Sequence, residues 1–409
     1  MDKRIKKIAI FVDSRKESGG AYQELLYSIK NIKKYNKNNL KFSIICTSKK
    51  LNLKLEDENL DTYYFSLNKF ERYICYLRNY DSFFRRLKKY FFLQNKFENF
   101  LKKNNFDLVY FTQPSQYSLY LEDTKFFITV PDMNHREDIE FPEFVNSGEF
   151  HRKDEIFRKA LPRALGVITN AEIVKKRISF FYGILENRIY IINHQPSSSI
   201  SSFEKVDVTK QKEIRKKLNL PKNYIFYPAM YLPHKNHKRL IDSLKILRSS
   251  LKIDLSLVFS GSDSGYLNNL KKYAEKQNLN NFITFLNFVE NDYLPYLYLD
   301  AFVLAITPIK GPTFIPPWEG FKMEVPVVFS KLEGVKEVYG DAVHYVDPLN
   351  PESIAKGIKE IYEKEELKQN LILNGKKRLN EIEKRNEYKE IFEIIESYRK
   401  IKETWEFDS

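Results

Sequence analysis

The chain has 409 residues, too many for one ordinary domain and suited to two of about 200 residues each. Hydrophobic residues make up 43 %, and 32 Phe with 27 Tyr exclude a disordered chain, while 13 Gly and 16 Pro exclude collagen-like and low-complexity classes. The 68 Lys+Arg against 54 Asp+Glu give a net charge of +14, which admits nucleic acid, an anionic membrane surface or a phosphorylated substrate as partners, beside a plain compositional bias.

The chain begins MDKRIKKIAIFVDSR. Its apolar run, Ile8 to Val12, is too short for a signal peptide, and no run approaches the roughly 20 apolar residues of a spanning helix. The pattern instead predicts a buried strand over Lys7 to Asp13, a loop with Gly19 and Gly20, and a helix from Ala21 to about Tyr35. Further strands are expected at Phe42–Thr47, Asp107–Thr112, Phe126–Val130, Gly166–Asn170 and Arg188–Asn193. The two cysteines, Cys46 and Cys75, cannot form a disulfide framework or a zinc cluster, which suits a reducing, cytoplasmic compartment.

Between the second and third strands, Lys69 to Leu101 carries Tyr73, Tyr76, Tyr80, Phe84, Leu87 and Phe91 at helical spacing. Basic residues, among them Arg72, Arg78, Arg85, Arg86, Lys88 and Lys89, are interleaved with them. One reading is a helix with an aromatic core face and a solvated basic face. The other is a docking surface for anionic lipid headgroups through Arg78, Arg85, Arg86 and Lys89.

The stretch from Gln195 to Lys212 is polar and Ser-rich and reads as a linker. The strand–helix alternation then restarts, with strands expected at Tyr224–Ala229, Leu255–Gly261, Phe282–Phe288, Ala301–Thr307 and Val325–Ser330. Helices are expected at about His237–Leu247 and Tyr266–Gln277, and from Pro351 to Trp405. Such alternation predicts an α/β chain of two Rossmann-like, doubly wound parallel-sheet domains, residues 1–200 and 201–384, with a last helix at about 385–409 that packs back on the first. Ligands of these sheets bind at the carboxyl ends of the strands, so a cleft between the domains is the expected site.

No P-loop and no G-x-G-x-x-G is present, and no Asp-x-Asp that would clamp a diphosphate through a metal. His234 and His237 share a helical spacing, but no third ligand accompanies them and no metal site is expected. Two stretches carry the chemistry. In YPAMYLPHKNHKRL, residues 227–240, a strand leads into a helix, and Lys235 at that turn can reach a phosphate beside backbone N–H donors. A solvated first-turn Lys is the plainer alternative. In KGPTFIPPWEGFKMEVP, residues 310–326, Gly311, Pro312 and Thr313 form a loop that lets backbone approach a ligand. Pro316 and Pro317 then suit a helix start, and Glu319 is expected in the first helical turn. A carboxylate there is favoured by the helix dipole, and it can also accept two ribose hydroxyls.

YPAMYLPHKNH, GPTFIPPWEGFKMEVPVVFS, EVYGDAVHYVDP (337–348) and DMNHREDIEFPEF (132–144) together resemble motifs of the retaining glycosyltransferases of family four, glycosyl transferases group 1, in the variant with DxxHR…PEF, PHKNH and GPTxxPPxE. The resemblance spans both halves in the right order and implies the GT-B fold, two Rossmann-like domains facing a central cleft. It implies a nucleoside diphosphate sugar as donor, a saccharide or lipid-linked saccharide as acceptor, retention at the anomeric carbon, and no metal or other cofactor. By position, Lys235 faces the donor diphosphate, Glu319 the ribose, Gly311, Pro312 and Thr313 the donor sugar or distal phosphate, and Asn287, Phe288 and Val289 the base. Gly19 and Gly20 would approach the diphosphate from the first domain, and Asp132 and His135 the reacting sugar. A hydrogen-bonded structural histidine is the plainer reading of His135.

Four positions depart from the family pattern. Gly311 replaces the first Glu of E-x7-E, Met230 an Arg, Gly320 an Ala, and Glu324 the Gly that ends the helix. A Glu at positive φ would be strained, so the helix is expected to end differently. The function expected is a cytoplasmic, peripherally membrane-associated glycosyltransferase of cell-surface polysaccharide synthesis. The alternatives are an epimerase or phosphorylase of the same fold, or a non-catalytic basic protein on membrane or nucleic acid. The absence of a helix-turn-helix, RNP-like or zinc pattern argues against nucleic acid.

Overall fold

The computed structural model describes residues 7–13, 25, 26, 28, 29, 32, 36, 40–80, 83, 95–385 and 387–404. They fall into two compact units. One takes the described residues of 1–135, 147–193 and 386–409, and the other takes Arg136–Asn146 and His194–Arg385. Residues 136–146 lie inside the expected first domain but pack into the second unit.

The first unit is built on seven parallel strands: β1 (Lys7–Val12), β2 (Lys41–Cys46), β3 (Thr62–Tyr64), β4 (Leu108–Phe111), β5 (Lys125–Thr129), β6 (Gly166–Thr169) and β7 (Ile189–Ile191). Their order in the sheet is β3-β2-β1-β4-β5-β6-β7. The central strands β1 and β4 are short, almost uninterrupted apolar runs and are buried along their length, as a parallel sheet covered on both faces requires. Tyr388, Ile391 and Ile395 of the last helix, Glu387–Lys402, enter the same core cluster as Ile8, Ile10, Val12 and Ile44. The Tyr388 hydroxyl meets the Ser28 hydroxyl at 3.2 Å.

The second unit has six parallel strands, β8 (Tyr224–Pro228), β9 (Ser256–Ser260), β10 (Ile283–Leu286), β11 (Val303–Ile306), β12 (Val327–Ser330) and β13 (His344–Val346), in the order β10-β9-β8-β11-β12-β13. In each sheet the order reverses once, between β1 and β4 and between β8 and β11. These are the switch points beside whose carboxyl ends doubly wound sheets bind ligands. All eleven expected strands are present. The edge strands β3 and β13 were not expected; Thr62-Tyr63-Tyr64 and His344-Tyr345-Val346 lack the aliphatic run that marks the equally short β7. The α/β fold of two Rossmann-like units is as the alternation predicts. Among the described residues no helix is long and apolar enough to cross a membrane.

Two local expectations need correction. The Ser-rich stretch after Gln195 is not a plain linker: it holds a short helix, Ser198–Ser201, and the start of another, Val208–Lys217, whose first N–H groups are capped by the Asp207 carboxylate. Glu324 does take a positive φ, 60°, and ends the helix Ile315–Lys322 where a glycine would be unstrained. The turn closes all the same, because the Val325 N–H reaches the Gly320 carbonyl at 2.9 Å and Lys376 pairs with the Glu324 carboxylate at 2.7 Å. Gly320, costly by helix propensity, answers to packing: a Cβ there would lie 3.0 Å from Leu304 on β11 and 3.1 Å from Val327 on β12.

Candidate donor site at the carboxyl ends of the second sheet

Sequence order brings the two informative stretches to the same end of one sheet. The 227–240 stretch leaves β8, and the 310–326 stretch follows β11, its immediate neighbour. Asn236 joins them. It takes the left-handed conformation at φ 63°, which Asn tolerates better than other non-glycine residues. Its side-chain amide donates to the carbonyls of Thr307 at 2.9 Å, after β11, and Pro348 at 2.7 Å, after β13. The Ile309 N–H donates to the His234 carbonyl at 2.8 Å. The turn at Pro233–Lys235 is thus fixed before the helix His237–Ser249 begins.

Within this frame the Lys235 ammonium lies 4.3 Å from the centroid of the Phe314 ring. Phe314 is the N-cap of the helix Ile315–Lys322, and both its N–H and its carbonyl are bonded to the Tyr339 hydroxyl, at 2.8 and 2.9 Å. Lys235 therefore stands beside the loop of Gly311, Pro312 and Thr313. Gly311 adopts φ +101°, open to glycine and strained for other residues. The preceding Lys310 is paired with Asp138 at 2.9 Å and with Glu140 at 3.6 Å, and the Asp138 carboxylate holds its ammonium above the ordinary lysine value.

Glu319 is the fifth residue of its helix, in the second turn and not the first, so its placement owes little to the dipole. It is buried. Its Oε2 accepts from the Tyr298 hydroxyl at 2.5 Å, and its Oε1 from the Ser197 N–H at 3.4 Å. Burial pushes the carboxyl above its ordinary value, and the Ser197 and Tyr298 donors pull it back. Neither partner was singled out from the sequence. Ser197 lies in the presumed linker, and Tyr298 in an apolar helix, Leu294–Leu299, where only the long-range pairing reveals its role.

Asn287, Phe288 and Val289 follow β10, the edge strand of the same sheet. They are linked to the 227–240 stretch through Tyr231, whose hydroxyl donates to the Leu286 carbonyl at 2.6 Å. Gly261, after β9, was also missed. A Cβ there would lie 2.1 Å from the Ala229 carbonyl oxygen, so this glycine is what lets the loops after β8 and β9 touch.

His234 and His237 do not converge. The His234 ring meets the Glu143 carboxylate at 2.6 Å, whereas His237 is enclosed by Tyr227, Tyr231 and Phe259. Burial, with the nearby Lys235 charge, pushes His237 down to about 3, so it is a neutral core residue. Among the described residues no three His, Cys, Asp or Glu side chains group as metal ligands do.

In the first unit, Asp132 and His135 follow β5. The Asp132 carboxylate accepts from the Asn134 N–H at 3.1 Å, with the Lys153 ammonium at 3.7 Å. His135 is fully buried, and its Nε2 meets the Tyr182 hydroxyl at 2.9 Å. Because Tyr182 gives its own proton to Asp154 at 2.9 Å, the proton of the first bond sits on His135 Nε2. Gly19, Gly20, Arg85, Arg86 and Lys89 lie outside the described residues. Arg78 is described and turns inward to Glu122 at 2.8 Å, its side chain 12 % exposed, so it does not belong to a docking surface.

Residues 210–378 match the family model of glycosyl transferases group 1. The O-antigen chain mannosyltransferase RfbU of Salmonella typhimurium is 27 % identical over 206 residues, 50 % of this chain and 53 % of its own. O-antigen chain mannosyltransferase B of Escherichia coli is 23 % identical over 225 residues, 51 % of this chain and 56 % of its own. The chain thus spans about half the length of the curated relatives it matches. Among solved structures, Anabaena HepE in complex with UDP-glucose superposes with a TM-score of 0.69 at 18 % identity, covering 96 % of this chain and 98 % of that one. A glycosyltransferase from Rickettsia africae gives 0.66 at 18 %, covering 96 % and 98 %. At such identities these likenesses show the fold. The family match lies wholly within the second unit.

Proposed function

We propose that the protein is a retaining glycosyltransferase that moves a sugar from a nucleoside diphosphate sugar to a saccharide or lipid-linked saccharide acceptor in cell-surface polysaccharide synthesis. The observation that carries the reading is the gathering of Lys235, the 311–313 loop and Glu319 after two neighbouring strands, β8 and β11, where the sheet order reverses. The O-antigen mannosyltransferase relatives point to polysaccharide assembly as the setting.

Leaving-group stabilisation does most of the work in this reading. As the anomeric C–O bond breaks, negative charge grows on the diphosphate. The Lys235 ammonium and the N–H groups at the starts of the two helices meet that charge. Preorganised donors of this kind contribute a few kcal/mol each, about 3 in well-placed cases. Glu319 holds the ribose, and Asn287, Phe288 and Val289 border the base. The acceptor enters on the face the diphosphate leaves and gives its proton to a phosphate oxygen, which retains the anomeric configuration without a side-chain nucleophile. Asp132 and His135 face the reacting sugar, and His135, bonded to Tyr182, fixes the turn that carries Asp132.

A thermal-shift screen against nucleoside diphosphates and then nucleotide sugars tests the donor site, and transfer assayed with EDTA tests the metal-free chemistry. A shift with at least one nucleotide and unimpaired transfer in EDTA are expected. An absolute Mg²⁺ or Mn²⁺ requirement counts against the leaving-group account.

Peripheral membrane docking of the first unit is part of the same proposal. The helix Lys69–Tyr80 turns Phe70 and Tyr73 outward, 71 % and 59 % exposed, and Arg85, Arg86 and Lys89 follow it in the sequence. Salt-sensitive binding to anionic vesicles and little binding to neutral ones are expected. No binding to anionic vesicles at low salt removes this part.

A further inference from the structure

The carboxylate of Glu319 is gripped from two separate elements, one on each oxygen. Tyr298 reaches Oε2 from the helix Leu294–Leu299, and Ser197 reaches Oε1 from the turn before the helix Ser198–Ser201. Glu319, Tyr298 and Ser197 are all nine-tenths or more buried. The Tyr298 ring is itself fixed edge-on by Phe226 of β8, with centroids 5.1 Å apart. A carboxylate held on one side only can rotate about its last bond, whereas donors on both oxygens set its plane. Each oxygen still keeps a lone pair for a further donor. Ordering paid for in the free protein is not charged again when ligand binds.

We propose that Tyr298 and Ser197 are positioning residues that hold Glu319 in the orientation that accepts both vicinal hydroxyls of a ribose, so that the site favours ribonucleotides over their 2′-deoxy counterparts. This rests on the donor-site reading above and adds to it the origin of sugar discrimination. The two residues do not touch the ligand; they act through Glu319. Burial raises the Glu319 carboxyl and both partners lower it, so the same contacts also favour the charged acceptor that hydroxyl donors need.

The test titrates the full chain with ADP, GDP, CDP and UDP, with the 2′-deoxy form of each, and with inorganic pyrophosphate. The wild type is expected to bind at least one ribonucleotide more tightly than its deoxy form. Tyr298→Phe should weaken that ribonucleotide about tenfold, the scale of one hydrogen bond to a charged group. It should leave pyrophosphate affinity unchanged and bring the ribo-to-deoxy ratio towards one. Ser197→Pro removes the backbone N–H that reaches Oε1, at a φ of −54° that proline adopts, so a loss in the same direction is expected, and its ratio decides the matter if Tyr298→Phe does not fold. An unchanged ratio in the folded variants, or an equal loss for ribonucleotide and pyrophosphate, overturns the positioning role and leaves the donor site standing. A folded wild type that binds none of the nucleotides overturns the donor-site reading and this inference with it.

Discussion

The Lys235 ammonium lies 4.3 Å from the centroid of the Phe314 ring, so the cation that follows β8 is seated against the residue that caps the helix after β11. The contact holds a long, flexible side chain at the mouth of the 311–313 loop. Lys235→Ala is expected to cut transfer at least tenfold in a protein that still folds, since a charge-assisted phosphate contact contributes about 1.5–3 kcal/mol. Phe314→Leu should cost only a few-fold, in keeping with the roughly 0.5–1 kcal/mol of an exposed cation–π contact. Steady-state kinetics of both variants check this, and wild-type turnover in Lys235→Ala removes Lys235 from the site.

Glu319 sets function against stability. Burial raises its carboxyl above the ordinary 4.5. A carboxyl raised on folding contributes stability below its unfolded value and loses it as pH rises through the folded value. Glu319→Gln removes that dependence. Denaturation midpoints measured upward from about pH 4 should therefore shift in favour of the Gln variant as pH rises, while nucleotide affinity falls at least tenfold. Parallel pH profiles for the two proteins would show that the carboxylate is fully compensated by Tyr298 and Ser197.

Glu324 invites a stabilising change. Its φ of 60° costs a non-glycine residue about 1–2 kcal/mol, while its partner Lys376 is a surface pair of small worth. Glu324→Gly is expected to raise the unfolding free energy by up to about 1 kcal/mol, read by chemical denaturation, with transfer unchanged. Glu324→Ala, which keeps the strain and loses the pair, should show no gain.

Gly261→Ala should do the opposite. Its Cβ would fall 2.1 Å from the Ala229 carbonyl oxygen, a backbone atom that cannot rotate away. A loss of about 1–3 kcal/mol is expected from the forced shift. Nucleotide affinity should drop with it, because Ala229 leads into the stretch that carries Lys235. Chemical denaturation and titration of the same sample check both effects.

Much of this was readable in the chain and some was not, for definite reasons. Central strands such as Val303–Ile306 are wholly apolar, so they stand out; Thr62–Tyr64 and His344–Val346 hold tyrosines beside a Thr and a His, carry no aliphatic run, and do not. Lys235 and Glu319 were legible because each follows a strand in a stretch rich in turn residues. Tyr298, Ser197 and Gly261 were not, because their roles come from partners 21, 122 and 32 residues away in the chain. Arg78 misled because its neighbours in sequence are basic, whereas its neighbour in space is Glu122. Glu324 shows a local rule overruled: the helix ends where Gly320 packs on β11 and β12, whatever the next residue prefers.

The core of the first unit is closed by a helix whose Tyr388 meets Ser28 across 360 residues of chain. During synthesis, β1 and its neighbours therefore emerge long before the side chains that cover them. At about 5–20 residues per second, the gap lasts tens of seconds. The second unit's main segment, His194–Arg385, is complete before Tyr388 has been added. The part of the protein that begins first is thus the part that finishes last, and the nascent chain's interval of greatest vulnerability to chaperones and proteases belongs to the first sheet.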